Sequence, residues 1–459
     1  MTSVWNSYTA EEKQTVMDFN EKYMDFISKG KTERVCVNLA IEMAKAHGYK
    51  DMKEVIANNE SLKPQDKIFY DMMGKSVAFV QVGSDDLQKG MNILGAHIDS
   101  PRIDVKANPL YEADDLAYFD THYYGGIKKY QWLTRPLALY GVICKKDGTV
   151  VNVAIGDKKE DPCFVITDIL PHLAADQLEK PASKFIEGDN MDLLVGSIPA
   201  YDEEKEAVKA NVLALLNEMY GIEEADFVSA ELEIVPAGRA RTVGFDRSMV
   251  LGYGQDDRVC AYTSLLAQLE LEDVERTCMT LLVDKEEVGS NGATGMHSAF
   301  FENLVAEILN ALGHYSDLAV KRTIQNSHAL SNDVIAAHDP LYANASSPNH
   351  NQGVLGGGLA FCKYTGARGK SGCNDANAEY IAKIRKIMDD NHVTWQTSEL
   401  GKVDQGGGGT VAFILANYGM NVIDAGVPLQ SMHAPYEISS KADVYEAKKG
   451  YAAFLKECR

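Results

Sequence analysis

Residues 281–295 read LLVDKEEVGSNGATG. Leu281, Leu282 and Val283 close a short apolar run that begins near Met279, and such a run ahead of a Gly-Ser-Asn-Gly turn predicts a buried strand. Its exit carries two adjacent carboxylates, Glu286 and Glu287. Acidic groups at the mouth of a buried strand are costly unless something compensates them. On an ordinary loop one would be solvated and the other salt-bridged. The pair gains chemical meaning only if partners from elsewhere in the chain converge on the same edge.

Length and composition limit where those partners can come from. At 459 residues the chain exceeds what one core usually supports, so two or more domains are expected. With 45% hydrophobic and 24% charged residues it has an ordinary globular composition. No apolar run reaches the roughly 18 residues of a membrane span, so no membrane partner is expected. The opening MTSVWNSYTAEEKQ carries neither a basic region nor an apolar core, which makes the cytoplasm the expected compartment. Eight cysteines are scattered without a C-x-x-C pair, so any metal must use histidine and carboxylates. A formal charge of −21 repels phosphate backbones, and nucleic acid is excluded as a partner despite the small basic clusters GRAR and GARGK.

Helical spacing behind threonine caps predicts helices over residues 9–29 and 32–47. KIFYDMMGKSVAFVQVG reads as a hairpin turning at Met73-Gly74-Lys75, and MNILGAHIDSPRID as a strand that empties into a polar loop. Between residues 106 and 245 short apolar runs alternate with turns, interrupted by one acidic helix near 203–219, which predicts an inserted β-rich domain. Strand and helix then alternate: helices over 257–269, 300–312, 374–389 and 410–418, and strands at 279–283, near Ala329 and at 421–425. This alternation predicts an α/β class and an αβα sandwich with a mixed sheet. The predicted boundaries are 1–105 with 246–459 for the discontinuous main domain, and 106–245 for the insert.

Five polar clusters sit where apolar strands end: AHIDSP, GQDDRV, DKEEVGS, LSNDV and SMHAPYE. In an open α/β sheet such ends converge on one crevice. Together they offer His97, Asp99, Asp256, Asp257, Glu286, Glu287, Asp333 and His433. A lone histidine at a strand end is more often structural than a ligand. His97-x-Asp99 is more suggestive, because a ligating imidazole usually gives its second N–H to a carboxylate. So many carboxylates converging with few lysines or arginines would be unfavourable without cations. Nitrogen and oxygen donors without thiolate suit zinc, with manganese or cobalt also acceptable.

The five clusters, in this order, resemble the aspartyl-aminopeptidase family of co-catalytic zinc aminopeptidases. The resemblance extends over the chain through THYYGGIKKYQW, LPHLAADQLEK, LVGSIP, KYTGARGKSGCNDANAE and GKVDQGGGGT, which are similar to segments of its bacterial branch. It implies that His97, Asp256, Glu287, Asp333 and His433 bind two divalent metal ions, most simply zinc. Asp256 would bridge them, held at a strained or cis peptide to Asp257. One ion would then take Asp256, Glu287 and His433, and the other His97, Asp256 and Asp333. Glu286, beside the metal-binding Glu287, would be the general base for water attacking a peptide's first carbonyl, with Asp99 supporting His97. The resemblance further implies short peptides as substrates, a β-rich insert that makes dimer contacts, and assembly of twelve subunits into a tetrahedral shell.

The family name implies a preference for acidic N-terminal residues, while the bacterial branch could prefer leucine or methionine. An acidic side chain entering a site crowded with carboxylates needs a cation, and Arg368 or Lys370 could supply it; otherwise they belong to a solvated loop. Gly407 and Gly408, within the GGGGT run, could bring backbone N–H groups to substrate or form only a tight turn. Ala336 and Asp339 stand where family members commonly carry histidines. Ala175 and Asp176 occupy the region where animal-type members place a histidine that reaches a neighbouring subunit. A related two-metal carboxypeptidase or deacylase is the competing enzyme reading, and a non-catalytic shell protein on the same scaffold is the competing reading from another class. The filled base and ligand positions weigh against the shell protein.

Overall fold

The computed structural model describes residues 3–346, 351–366 and 372–459. The chain divides into two compact units, Met1–Asp99 with Ala240–Met432 and Glu437–Arg459, and Ser100–Arg239 with His433–Tyr436.

In the first unit, Cys278–Val283 forms a strand in which every residue is buried. Its side chains alternate between two cores: Cys278 and Leu282 enter one, while Met279, Leu281 and Val283 enter the other. A strand buried on both faces reads as a continuous apolar run, which is why LLV carries no polar alternation. It lies in a nine-stranded mixed sheet whose order is Lys50–Asp51, Lys67–Met72, Ser76–Gln81, Cys278–Val283, Asn92–His97, His328–Ser331, Asn421–Gly426, Leu359–Cys362 and Trp395–Thr397. The four central strands, from Cys278–Val283 to Asn421–Gly426, are mutually parallel. Their register pairs Val283 with His97 and Ser331 with Gly95, so the polar residues that follow them leave at one edge.

Helices cover both faces. Ala10–Lys29, Glu33–Ala46, Gln255–Leu269, Ala378–Asp390 and Lys441–Glu457 contribute to one core. Met52–Ala57, Phe300–Ala311, Asp317–Gln325 and Val411–Ala416 contribute to the other. The first helix starts at a capping box in which Thr9 and Glu12 satisfy each other's backbone N–H. Thr32 caps the second by accepting from the Val35 N–H. A five-stranded sheet of short segments completes this unit: Arg241–Val243, Met249–Gly252, Glu437–Ser440, Pro428–Gln430 and Ile335–Ala336.

The second unit is built on a six-stranded antiparallel sheet, ordered Val150–Ile155, Leu137–Cys144, Ala230–Pro236, Arg102–Ala113, Leu116–Tyr124 and Leu193–Gly196. Its one long helix, Ala207–Tyr220, ends at Gly221 in the left-handed region that favours glycine.

Candidate metal centre

His97 is the last residue of its strand and is almost fully buried. Its Nδ1 faces the main-chain carbonyl of Asp99 at 2.9 Å, with the Asp99 carboxylate at 3.3 Å. A nitrogen facing a carbonyl must donate, so a metal would meet the ring through Nε2. Nε2 lies 3.1 Å from Asp256 Oδ1, 3.9 Å from Asp333 Oδ1 and 3.9 Å from Glu286 Oε2.

Asp256 and Asp257 open the helix Gln255–Leu269, but both have non-helical backbone angles, and the peptide bond between them is cis. Asp257 turns away from the metal-ligand groups and accepts the His97 backbone N–H at 3.3 Å. Asp333 follows the strand His328–Ser331 by two residues. Glu286 and Glu287 lie in a single turn after Lys285, whose φ of 73° is left-handed. Their backbone N–H groups both donate to the Asp99 carboxylate, at 3.1 and 3.2 Å. Asp99 therefore clamps the glutamate turn as well as facing the ring of His97.

Among the described residues of the first unit, His97, Asp256 and Asp333 have the reach to hold a metal ion together. Their donor atoms lie within 4.8 Å of one another. His433, in the six-residue loop between Pro428–Gln430 and Glu437–Ser440, has its Nδ1 2.8 Å from the Gly126 carbonyl. That leaves its Nε2, like that of His97, as the nitrogen a metal would meet.

The donor chemistry suits dications. Burial raises the Asp333 carboxyl well above its usual range, and the charges of Asp257, Glu286 and Asp256 raise it further against the opposing pull of His97. Burial also raises Asp257. Burial opposes charge on His97, yet its bonds to Asp256 and Asp99 hold its pKa well above the ordinary value. Acids crowded in this way ionise together only when cations share the site. Imidazole and carboxylate donors without sulfur fit zinc.

The family model for aminopeptidase I zinc metalloproteases, M18, matches residues 26–455. The chain belongs to the M18 family. It is 58% identical over 454 residues to a "Probable M18 family aminopeptidase 1" of Clostridium acetobutylicum, covering 99% of this chain and 97% of that one. A crystal structure of an M18 aminopeptidase from Thermotoga maritima superposes with a TM-score of 0.94 at 45% identity, covering 99% of both chains. The structure of the S. cerevisiae mApe1 dodecamer is 20% identical with a TM-score of 0.75, covers 95% of this chain and 96% of that one, and shows the shared fold. The protein is thus an M18 zinc metallo-aminopeptidase of mixed α/β fold.

Arg368 and Lys370 lie outside the described residues. Gly407 and Gly408 lie just ahead of the helix Val411–Ala416, and Gly408 accepts the Gly366 N–H at 2.8 Å. Close packing accounts for Gly406, where a Cβ would lie 1.6 Å from the Leu400 carbonyl oxygen. That helix has only six residues, too short to provide a substantial N-terminal field. Several residues around the centre emerged only in three dimensions: Gly126 at His433, Glu437 at the Asp256 amide and Arg258 at the Ile98 carbonyl. All three occur in segments quoted above, but nothing in their spacing points to those backbone partners.

Proposed function

We propose that this M18 enzyme binds two zinc ions per subunit, with Asp256 common to both, and that Glu286 is its general base. His97 and Asp333 would complete one ligand set, and Glu287 and His433 the other. The observation that carries the reading is the donor group of His97, Asp256 and Asp333, with Glu286 close to His97 Nε2 yet outside that group. Zinc bound there supplies Lewis-acid polarisation of a peptide carbonyl and acidifies the attacking water.

The chain's own groups do the rest. Glu286 accepts the proton of the attacking water and delivers it to the departing amine, while Asp99 holds the Glu286 backbone so that the carboxylate keeps its aim. A carboxylate-lined site attracts the positively charged α-amine of a short peptide, which favours attack at the first residue. A carboxypeptidase substrate carries an anionic carboxylate beside its scissile bond and a deacylase substrate a neutral acyl group, and neither offers that cation there. An acidic first side chain would need a compensating cation, with leucine or methionine the alternative preference.

The reading extends to assembly. We place the enzyme in the cytoplasm as a homo-oligomer, a tetrahedral dodecamer in its fullest form, with the β-rich insert making dimer contacts. No helix among the described residues is long and apolar enough to cross a membrane.

The test is kcat/KM for aspartyl, glutamyl, leucyl and methionyl amides alongside their N-acetyl forms. Hydrolysis of the free-amine substrates with loss of at least about tenfold on acetylation is expected. Equal rates for acetylated substrates would overturn the exopeptidase assignment, and the ranking of the four side chains decides the preference.

A further inference from the structure

We propose that Arg258 and Glu437 form a buried frame that positions the metal ligands, each gripping the main chain beside one of them. The inference rests on His97 and Asp256 being zinc ligands, as proposed above.

Both charges are almost wholly buried: Arg258 is 0% and Glu437 1% exposed. Arg258 Nε donates to the Ile98 carbonyl at 3.0 Å. Ile98 stands between His97 and Asp99, so this bond fixes the backbone joining a proposed ligand to the clamp of the glutamate turn. The Ile98 N–H meanwhile donates to the Val283 carbonyl at 2.8 Å, which holds the segment from its other side. Glu437 Oε2 accepts the Asp256 N–H at 3.1 Å. Its main-chain carbonyl accepts Gln255 Nε2 at 2.7 Å, and strand pairing of Glu437 with Gly252 anchors it in the small sheet.

The geometry has one logic. Arg258 is two residues beyond Asp256 on the same helix and reaches back to the strand end that carries His97. Glu437 reaches the Asp256 amide from the small sheet. A shift at Ile98 would move His97 directly, and would move Glu286 and Glu287 through the two bonds their amides make to Asp99. Burying a guanidinium and a carboxylate is unfavourable, and apolar residues of similar volume would serve a purely packing role as well or better. Directional bonds to specific main-chain atoms are what these two side chains add.

Zinc affinity, measured by competition with a chromogenic chelator, separates positioning from packing when read with circular dichroism, kcat and KM. The proteins compared are wild type, His97→Ala, Arg258→Lys, Arg258→Met, Glu437→Gln and Glu437→Leu. Arg258→Met and Glu437→Leu should keep the native spectrum and bind zinc about 10- to 100-fold more weakly, with kcat falling more than KM rises. Glu437→Gln retains an oxygen for the Asp256 N–H and should restore affinity to within about threefold of wild type. Arg258→Lys keeps the charge without the planar Nε–H donor and should stay defective. Wild-type zinc affinity and kcat in folded Arg258→Met and Glu437→Leu would overturn the frame, as would Glu437→Gln behaving like Glu437→Leu. If the apolar variants do not fold, Arg258→Lys decides, and wild-type zinc affinity there overturns the proposal. A wild type that binds no zinc, or His97→Ala that binds it normally, contradicts the ligand assignment itself and is thereby distinguished from failure of the frame.

Discussion

Glu286 and Glu287 are adjacent in the chain, yet their carboxylates serve different surroundings. Glu287 is the proposed metal ligand, while Glu286 Oε2 approaches His97 Nε2 at 3.9 Å. Replacing Glu286 by glutamine preserves shape and removes the proton acceptor, so Glu286→Gln should retain zinc and lose about 10² to 10⁴-fold in kcat. Steady-state kinetics on a leucyl amide with parallel metal analysis check this, and retention of more than about a tenth of kcat would refute the base assignment. Asp99→Ala leaves two backbone N–H groups without their acceptor and should lower kcat at least about tenfold, with Asp99→Asn intermediate. Equal kcat in both variants and wild type would remove Asp99 from the mechanism. The proposed donor residues could be singled out in the sequence because each stands in a polar cluster at the end of an apolar run. The clamp at Asp99 and the grips at Ile98 and Asp256 were not, since the direction of a backbone N–H or carbonyl leaves no mark on residue spacing.

At the level of elements, long periodic segments with caps were readable and short pairings between distant segments were not. Thr9 and Thr32 announced the first two helices, and the hairpin turned at Met73-Gly74-Lys75 as its composition indicates. The helix expected to begin at 374 starts instead at Ala378, because Asn377 caps it by accepting from the Tyr380 N–H. The helix expected over 410–418 covers only Val411–Ala416, with Thr410 as its cap. Lys441–Glu457 went unpredicted because it buries Lys441, Asp443 and Glu446 along with its apolar residues, which blurs the amphipathic stripe. The five-stranded sheet includes strands of two and three residues drawn from distant positions, too short to show alternation. One strand start carries a pH signature. Burial, then Lys383 and Arg276, depress the His328 imidazole to about 4, against roughly 6.5 when unfolded. The native state disfavours the charged ring, so this contribution is complete above about pH 6.5 and is lost as pH falls towards 4. His328→Gln should therefore lose less thermal stability than wild type between pH 7 and pH 4.5, as read by melting temperature. An identical acid-side decline in both proteins would contradict the assignment.

For the whole molecule, the second unit exposes an apolar patch over one short segment. Leu173 is 68% and Leu178 62% exposed, with Ile169 and Leu170 beside them. Patches of this kind mark association surfaces, which fits an insert that makes subunit contacts. A Leu173→Asp, Leu178→Asp double variant should therefore sediment and scatter light as a smaller species while keeping its circular dichroism. A wild-type mass for the folded variant would move the interface elsewhere. The central claim is that this aminopeptidase works through two ions held by one shared aspartate. It is tested most directly by stripping the enzyme with chelator and titrating zinc back while following bound metal and hydrolysis of a leucyl amide together. The account predicts no turnover in the stripped protein, saturation at two zinc ions per chain, and full activity only as the second ion binds. Full activity at one ion per chain, or undiminished activity in the stripped protein, would contradict it.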